Sequence, residues 1–500
     1  MDIGSQEFFS EELHEECGVF GIYGGDTSAP AYACYNGLLA LQHRGQESCG
    51  IAVNDRGVVS GYKNMGLVSE VFNNEILDSL KGQMAIAHVR YSTAGGSVRE
   101  NSQPLVMRYV KGTLAIAHNG NLTNAYEVRK ELERRGAIFQ TTIDSEAIAY
   151  LVARERIKAA SVEEAVEKTM AQIEGAYSLL VMSPKKLIAA RDPNGFRPLC
   201  MGRLGDSIVF ASETCALAAC GADFVRDVMP GEIVVADEDG VHSIMTPLAQ
   251  TAKRSLCVFE YIYFARTDSV IDGISVYESR KEAGRILARE FPVDADIVIG
   301  VPESGIDAAI GYSEESGIPY EKGIVKNGYI GRTFIKPTQK ERAKSVRLKL
   351  NPLGSVLKDK RVVVIDDSIV RGTTCDRIVR MLRSAGAKEV HLRISSPPFI
   401  WPCFYGTDIP SRDELIAVKH TIDEICELTG ADSLGFLPAD KLCDMVGGCS
   451  GFCDACFSGN YPTRIPEKML AGKERGGVDF DKKLPEKKKD AAACIGKDEG

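Results

Sequence analysis

Two adjacent carboxylates, Asp366 and Asp367, follow directly on an apolar, β-branched run at 362–365. Such an unbroken run is typical of a strand buried on both faces of a parallel sheet. Ligands of open parallel sheets bind beyond the carboxyl ends of the strands. A loop with one glycine and two threonines, residues 371–374, comes soon after the acids. The acids and the loop therefore stand where such a sheet would hold a ligand.

The residues after the loop predict the elements that position it. Apolar residues have helical spacing over 376–385, Gly386 suits the helix end, and residues 390–394 alternate like a strand. In such a unit the loop amides and hydroxyls form an anion site at the helix start. The acids would repel phosphate, so they suit sugar hydroxyls or Mg²⁺. An anion site next to acids that suit sugar hydroxyls predicts a phosphorylated ribose as the ligand. The plainer interpretation is a strand ending in solvated acids that cap the next helix.

The segment resembles the phosphoribosyl pyrophosphate (PRPP) motif of type I phosphoribosyltransferases, whose α/β domain contains a parallel sheet. The resemblance implies that PRPP is bound by the loop residues Asp366, Asp367, Ser368, Arg371, Gly372, Thr373 and Thr374. A second apolar strand at 296–301 leads into a turn whose Ser304 would lie near Mg²⁺, beside Asp366 and Asp367.

A basic segment, residues 322–349, lies between these two strands. It carries nine Lys or Arg against one acid, Glu341. A solvated or nucleic-acid-binding face is the alternative, but the setting favours a mobile lid that closes over a polyanion. Family resemblance implies closure on PRPP, and the contacts that we predict are Lys326, Arg332 and Lys349.

A second set of motifs lies in the amino-terminal half. In chain order it comprises Cys17-Gly18-Val19-Phe20, Gln42-His43-Arg44-Gly45, His88-Val89-Arg90-Tyr91, His118-Asn119-Gly120-Asn121 and Ile143-Asp144-Ser145. Taken singly, each has a plain structural interpretation, such as a buried thiol, a surface ion pair, a tight turn or a helix cap. The three histidines are better explained as core or turn residues than as catalysts. The order and spacing of the whole set are much harder to explain structurally.

Cys17 needs a base before its thiol can attack an amide carbonyl. There is no local histidine to pair with it. An α-amine, with a pKa of about 7.7–8.0, is partly neutral at pH 7, whereas a lysine of about 10.4 is almost fully charged. The α-amine of the nucleophile is therefore the practical base, which requires Cys17 to become the first residue. We predict that residues 1–16 are a propeptide cleaved before Cys17.

Together the motifs resemble class II glutamine amidotransferases, whose domain is an αββα sandwich of the N-terminal-nucleophile hydrolase type. The resemblance implies autocatalytic cleavage and an oxyanion hole made by the Asn119 side chain and the Gly120 N–H. It also implies that Arg90 binds the α-carboxylate of glutamine and that Asp144 binds the α-ammonium group. Arg44 is expected to have a structural or interdomain role.

The order of the two modules resembles the glutamine PRPP amidotransferase family, from Cys17 to about Pro466. Membership implies that ammonia from glutamine displaces pyrophosphate from PRPP to give 5-phosphoribosylamine, the first committed step of purine synthesis. It also implies a homotetramer inhibited by purine nucleotides. The alternatives are another class II amidotransferase, a PRPP-sensing regulator and an electron-transfer protein. The first would lack the 366–374 loop, and the complete glutaminase set disfavours the second.

A cysteine cluster near the carboxyl end adds a candidate metal site. Cys449, Cys453 and Cys456 form a closely spaced group in which a C-x-x-C pair is typical of zinc or redox chemistry, and four thiolates equally suit an iron–sulfur cluster. One branch of the family carries a [4Fe–4S] cluster and a propeptide. Its pattern implies the ligands Cys257, Cys403, Cys453 and Cys456, with Cys443 and Cys449 as nearby extra thiols.

Length and composition set the remaining bounds. The length of 500 residues predicts two or three domains. The resemblance implies an amidotransferase domain at 17–248 and a phosphoribosyltransferase domain at 249–466, and the composition predicts a disordered, charged tail at 467–500. A net charge of −9 argues against a nucleic-acid binder. No apolar run approaches the ~20 residues of a membrane span. Fifteen cysteines, mostly scattered singly, fit reduced thiols of a cytoplasmic protein.

Overall fold

A computed structural model describes residues 17–25, 27, 29–91, 96–327, 350–407, 409, 411–448 and 450–467. The predicted propeptide, the lid residues Arg332 and Lys349, Cys449 and all but the first residue of the predicted tail lie outside these ranges. Within them, no helix is long and apolar enough to cross a membrane.

Two stacked antiparallel sheets form the amino-terminal part. The first has the strand order β11-β9-β10-β1-β4-β2-β3, and the second has the order β13-β12-β8-β7-β6-β5. Their bounds are β1 Gly18–Tyr23, β2 Ser48–Asp55, β3 Val58–Met65, β4 Met84–Arg90, β5 Leu105–Tyr109, β6 Gly112–Leu122, β7 Gly175–Met182, β8 Leu187–Arg191, β9 Cys200–Leu204, β10 Ser207–Ala211, β11 Asp223–Asp227, β12 Glu232–Asp237 and β13 Gly240–Met245. The faces that meet bury small and branched residues, among them Val19, Ile86, Ala117 and Leu180.

Helices cover the two outer faces of this sandwich. The first sheet packs on α1 Ala29–Ala40, α2 Val68–Val71, α3 Asn74–Ser79 and α7 Thr214–Cys220. The second packs on α4 Ala125–Arg134, α5 Asp144–Lys158 and α6 Val162–Met170. The central strands of both sheets are buried on both faces, because each lies between the partner sheet and a helical layer. This confirms the predicted αββα architecture.

A four-stranded parallel sheet is the centre of the carboxy-terminal part. Its order is β17-β20-β21-β22, from Ile297–Gly300, Arg361–Asp366, Glu389–Ile394 and Ser433–Phe436. Two long helices, α8 Val276–Glu290 and α9 Ile306–Ser316, lie on one side, and α11 Thr373–Ser384 and α13 Ile422–Thr429 lie on the other. Residues 362–365 are fully buried, as the apolar run predicts. The predicted α/β domain with a parallel sheet is confirmed.

Short elements complete this part. They are β14 Leu256–Cys257, a π-helix Glu260–Phe264, β15 Val270–Ile271, β16 Ile274–Ser275, β18 Ile324–Lys326, β19 Leu350–Pro352, α10 Gly354–Leu357, α12 Ile416–Lys419, α14 Leu442–Met445, β23 Phe452–Cys453 and α15 Ala455–Ser458. Single 3₁₀ turns lie at Arg99–Asn101, Pro247–Gln250, Arg412–Glu414 and Ala439–Lys441. β18 and β19 pair antiparallel, with Lys326 opposite Leu350.

Two candidate active sites and the bridge between them

Cys17 immediately precedes β1, a central strand of the first sheet. β1 begins at the next residue and pairs with β4 on one side and β10 on the other. The Cys17 side chain is buried, and its Sγ lies 3.5 Å from the carbonyl oxygen of Tyr91. The sheet thus fixes the backbone on the carboxyl side of the thiol.

Ser212 connects this strand to the predicted oxyanion residue. The Val19 N–H donates to Ser212 Oγ at 2.9 Å, and Asn119 Nδ2 donates to the same oxygen at 3.4 Å. Asn119 is fully buried, and its Oδ1 has no hydrogen-bond partner in the described part of the chain. The amide is therefore anchored near the nucleophile, across the gap between the two sheets.

Gly120 occupies a backbone conformation that requires glycine. Its φ is +138°, and a Cβ built on it would lie 2.2 Å from the carbonyl oxygen of Ala176 on the neighbouring strand β7. Any side chain would both strain the backbone and collide with a fixed strand. The predicted oxyanion pair, Asn119 and Gly120, thus lies where β6 is held most closely to β7.

The two residues predicted to bind the amino-acid end of glutamine lie on adjacent elements. Arg90 ends β4, is nearly fully buried and has an Nη1 3.8 Å from Glu47. Asp144 opens α5 and accepts a hydrogen bond from the Leu122 N–H at 2.9 Å. Burial opposes its ionisation, but His118 and the N–H donors hold the pKa of Asp144 below its ordinary value. Asp144 is therefore an ionised carboxylate, which suits an ammonium partner.

The histidines of the motifs are structural, as the sequence predicts. His88 is fully buried, its Nε2 donates to the His118 carbonyl at 2.9 Å, and burial lowers its pKa to about 3. His118 Nδ1 lies 3.1 Å from Ser145 Oγ. His43 lies 2.8 Å from Glu213 Oε1. Each ring packs the elements around the site and none contacts the Cys17 thiol among the described hydrogen bonds.

Arg44 joins the nucleophile to the second domain. Its Nε donates to the Cys17 carbonyl at 3.1 Å, its Nη1 to Glu213 at 2.7 Å, and its two Nη atoms to both oxygens of Glu260 at 2.8–2.9 Å. All three charged side chains are fully buried. Although burial opposes it, His43 and Arg44 hold the pKa of Glu213 well below its ordinary value. These contacts agree with the structural or interdomain role that the sequence predicts for Arg44.

The neighbouring Gly45 explains why a glycine follows Arg44. A Cβ at Gly45 would lie 2.7 Å from backbone atoms of Arg90 and Val89. The turn that carries Arg44 can therefore pack directly on the end of β4.

The second candidate site lies at the carboxyl end of the parallel sheet. Asp366 ends β20, Asp367 follows it, and both are buried. Ser304, in the turn after β17, donates to Asp367 Oδ2, and Ser368 donates to the other oxygen. Burial raises the pKa of both acids, and the adjacent Asp367 adds to the effect at Asp366. The structure thus brings together the three residues predicted to hold Mg²⁺.

The loop after the acids turns directly into a helix. Gly372 has φ +87°, and α11 begins at Thr373, three residues before the predicted start. Thr373 and Thr374 therefore lie in the first helical turn, where backbone N–H groups favour an anion. The Arg371 side chain pairs with Glu414 at 2.6 Å, and Lys326 is exposed on β18. Of the three predicted lid contacts, only Lys326 lies among the described residues.

Four cysteines line one cavity in the second domain. They are Cys257, Cys403, Cys453 and Cys456, with aromatic neighbours that include Phe196, Tyr405 and Tyr461. Cys257 and Cys453 are register partners on the parallel strands β14 and β23, and the Cys456 carbonyl accepts hydrogen bonds from Ile400 and Trp401. Cys443 is exposed and does not line the cavity.

Burial raises the pKa of Cys453 to about 12 and also raises the pKa of Cys456 well above its ordinary value. Among the described residues, no three His, Cys, Asp or Glu side chains are spaced to hold a single metal ion.

Sequence reasoning missed the residues that connect these sites. Ser212 and Glu213 follow β10 with no catalytic motif of their own, and Glu260 lies 216 residues from its partner Arg44. The acidic residue in Phe259-Glu260-Tyr261 is the one local signal, because an acid within an apolar, aromatic run must find a buried partner.

Comparisons with known proteins agree with this arrangement. Residues 88–219 match a glutamine amidotransferase domain family, and residues 278–395 match a phosphoribosyl transferase domain family. The chain is 50% identical to the amidophosphoribosyltransferase of Methanocaldococcus jannaschii, over 92% of this chain and 100% of that protein. It is 50% identical to the Bacillus subtilis amidophosphoribosyltransferase, over 91% and 95%.

Two solved structures share the fold over most of the chain. One is glutamine PRPP amidotransferase from B. subtilis complexed with ADP and GMP, with a TM-score of 0.84 at 48% identity, covering 90% of this chain and 98% of that chain. The other is described as the allosteric regulatory enzyme of purine biosynthesis, with a TM-score of 0.86 at 48% identity, covering 93% and 100%. On its two domains, its two sites and these relatives, the chain belongs to the amidophosphoribosyltransferase family.

Proposed function

We propose that this protein transfers the amide nitrogen of glutamine to PRPP, giving 5-phosphoribosylamine, glutamate and pyrophosphate, at the entry to purine biosynthesis. One observation carries the proposal. A glutaminase nucleophile, Cys17, and a phosphoribosyl loop, 366–374, lie in one chain and are joined by the buried contact of Arg44 with Glu260. A glutaminase alone would need no such second site.

In the glutaminase half-reaction, the Cys17 thiolate attacks the side-chain amide carbonyl of glutamine. The Asn119 side chain and the Gly120 N–H stabilise the oxyanion of the tetrahedral intermediate. Collapse releases ammonia and leaves a γ-glutamyl thioester, which water hydrolyses to glutamate. Arg90 and Asp144 hold the α-carboxylate and the α-ammonium group, so that the reacting carbonyl reaches the thiol.

The base in this half-reaction is the α-amine of Cys17. Removal of residues 1–16 creates that amine and completes the site. The Arg44 guanidinium bound to the Cys17 carbonyl holds the residue on its other side. Because Arg44 holds the Cys17 carbonyl, the new α-amine stays close to the Cys17 thiol.

In the transfer half-reaction, ammonia attacks C1 of PRPP and pyrophosphate leaves. The loop amides and the Thr373 and Thr374 hydroxyls are proposed to bind the 5-phosphate, and Asp366 and Asp367 the ribose hydroxyls. Lys326, Arg332 and Lys349 are proposed to neutralise the departing pyrophosphate.

Magnesium fits the oxygen-rich group of Ser304, Asp366 and Asp367, because hard cations prefer carboxylate and hydroxyl oxygens. When bound there it would neutralise charge on the pyrophosphate. These residues would hold the ion, and the positive charge of the ion would favour the ionised form of both acids, against the burial that raises their pKa.

A [4Fe–4S] cluster fits the cavity lined by Cys257, Cys403, Cys453 and Cys456, because four thiolates are its usual ligands. No step of the reaction is an oxidation or reduction, so its proposed role is structural. Replacing Cys456 by serine is expected to abolish iron binding and the visible absorbance, and iron-free, colourless wild-type enzyme would contradict the proposal. A zinc site would instead give one equivalent of zinc and no colour.

The decisive experiment uses the purified protein with a sequenced amino terminus. We expect glutamine consumption that depends on PRPP, with equal release of glutamate and pyrophosphate. Cys17→Ala should lose glutamine use but keep ammonia use, because the second site is intact. Absence of PRPP-dependent pyrophosphate release would refute the function, and active protein that retains Met1 would refute the propeptide.

Regulation and assembly are also proposed from the relatives. The B. subtilis structure is a complex with ADP and GMP, which supports purine nucleotides as inhibitors of this protein. We further propose a homotetramer that works in the cytoplasm. Sedimentation in the presence and absence of nucleotide tests the assembly, and inhibition by ADP and GMP tests the regulation.

A further inference from the structure

Three of the four consecutive β6 residues 119–122 belong to the proposed glutamine site. Asn119 and Gly120 form the proposed oxyanion hole, and the Leu122 N–H binds Asp144, the proposed partner of the substrate ammonium group. Asn121 lies between them and contacts no part of the proposed glutamine site among the described hydrogen bonds. Its side chain is half-buried and points to the second domain.

A short segment of the second domain, residues 403–406, contacts β6 and also contacts Phe196 and Arg197, which follow β8. Asn121 Nδ2 donates to the Phe404 carbonyl at 2.9 Å. Arg197 Nη2 donates to the Tyr405 carbonyl at 2.8 Å, and the Tyr405 ring stacks on Phe196 with centroids 4.1 Å apart. Gly406, with φ +124°, lies so close that a Cβ there would be 3.6 Å from the Gly120 carbonyl carbon.

This contact falls beside Gly120. Gly120 and Asn121 pair with Tyr177 and Ala176 in the β6–β7 ladder, but Gly120 has no side chain to limit its backbone, so the direction of its N–H also depends on the residues that flank it. On one side Asn119 is fixed by pairing with Ser178 and by the bond to Ser212. On the other side, the side chain of Asn121 is fixed by Phe404, 283 residues along the chain.

We propose that Asn121 is a positioning residue of the glutaminase, which aligns the Gly120 N–H through its bond to the 403–406 segment of the phosphoribosyltransferase domain. The inference rests on the proposed function. It adds that the oxyanion hole is completed by the second domain, without any contact of that domain with glutamine. Asn121 acts only through Gly120.

The test compares Asn121→Ala and Asn121→Asp with the parent enzyme. Loss of a whole oxyanion donor costs about 10²–10³ in kcat, so a displaced donor should cost less, about 10- to 30-fold in glutamine-dependent kcat. KM for glutamine should change little, because Arg90 and Asp144 keep their contacts. Asn121→Asp keeps the side-chain volume but places an acceptor oxygen opposite the Phe404 carbonyl. Its loss of glutamine-dependent kcat should therefore be at least as large as that of Asn121→Ala.

Two further readouts separate positioning from general damage. The ammonia-dependent rate should stay within about twofold of the parent enzyme, and alkylation of Cys17 by iodoacetamide, which forms no oxyanion, should be unchanged. Asn124→Ala is the matched control, because its Nδ2 donates to the Gln172 carbonyl at 2.9 Å, entirely within the first domain. It should keep the parent kcat with glutamine.

Parent-like glutamine kcat in either Asn121 variant would overturn the proposal. So would an equal loss of the ammonia-dependent rate or of Cys17 alkylation, since either would show general damage. An equal loss in Asn124→Ala would also overturn it. Failure of the proposed function would appear differently, as absence of PRPP-dependent activity in the parent protein itself.

Discussion

Gly120→Ala is the substitution whose effect the structure specifies most closely. An added Cβ would start 2.2 Å from the Ala176 carbonyl oxygen, whereas real Cβ contacts are rarely below 3.0–3.4 Å. The two strands must therefore separate by about 1 Å at the oxyanion hole, and a misplacement of about 1 Å typically costs 10²-fold in rate. The positive φ adds about 1–3 kcal/mol of backbone strain.

We expect glutamine-dependent kcat to fall by about 100-fold or more, with the ammonia-dependent rate preserved. The assay is pyrophosphate release from PRPP with saturating glutamine or with ammonium chloride at alkaline pH. Gly136→Ala is the matched control, because Gly136 also has a positive φ, +92°, but a Cβ there would meet no atom within 4 Å. That variant carries the backbone strain alone and should keep both activities.

Two outcomes would refute this reasoning. If Gly120→Ala retained the parent kcat with glutamine, the hole would be formed by other donors. If Gly136→Ala lost glutamine use to the same extent, strain rather than alignment of the hole would explain the result.

Three further expectations concern the buried charges. Arg44→Met removes one cation from Glu213 and Glu260, which leaves Glu213 with His43 and Glu260 with Arg197, and should destabilise the protein by up to about 3–5 kcal/mol, seen as a lower urea midpoint; adding Glu260→Gln should restore part of it, and no restoration would contradict the pairing. Asp367→Asn should reduce the rate with glutamine and with ammonia alike, and a selective loss with glutamine would count against its place in the PRPP site. Because the pKa of Asp366 and Asp367 is raised, protonation should compete with the proposed Mg²⁺, so Mg²⁺ affinity should increase as pH rises; an affinity measured by calorimetry that does not change with pH would disprove this.

Local patterns in the sequence were sufficient for the strand–loop–helix unit at 361–384. The apolar run and the adjacent acids are contiguous, so their geometry follows from the strand and the turn alone. The helix begins earlier than its spacing indicates because Gly372 turns the chain at once, while the threonines that open it are weak helix formers.

The αββα sandwich followed from family resemblance rather than from periodicity. Its central strands are buried on both faces, so they lack the alternation that marks a half-exposed strand. Arg90 at the end of β4 and Asp144 at the start of α5 could be predicted because each lies in a compact motif.

Contacts between the domains could not be predicted from the sequence. Asn121 lies inside a recognised motif, yet nothing near it indicates Phe404 as its partner. Arg44 was expected to be structural or interdomain, but the identity of Glu213 and Glu260 depends on how two separately folded units dock. Docking is set by shape and charge over many residues, which no short pattern encodes.

The buried Arg44–Glu260 pair limits how such a protein can arise by recombination. A glutaminase domain moved onto another acceptor domain would carry Arg44 and Arg197 without Glu260, and Arg44 would keep only Glu213, while the glutamate left in the old acceptor domain would lose both of its buried cations. Shuffled chimeras of this chain should therefore survive best when residues 44, 197 and 260 are inherited together. The boundary between the domains in sequence is thus a poor guide to where the molecule can be cut and rejoined.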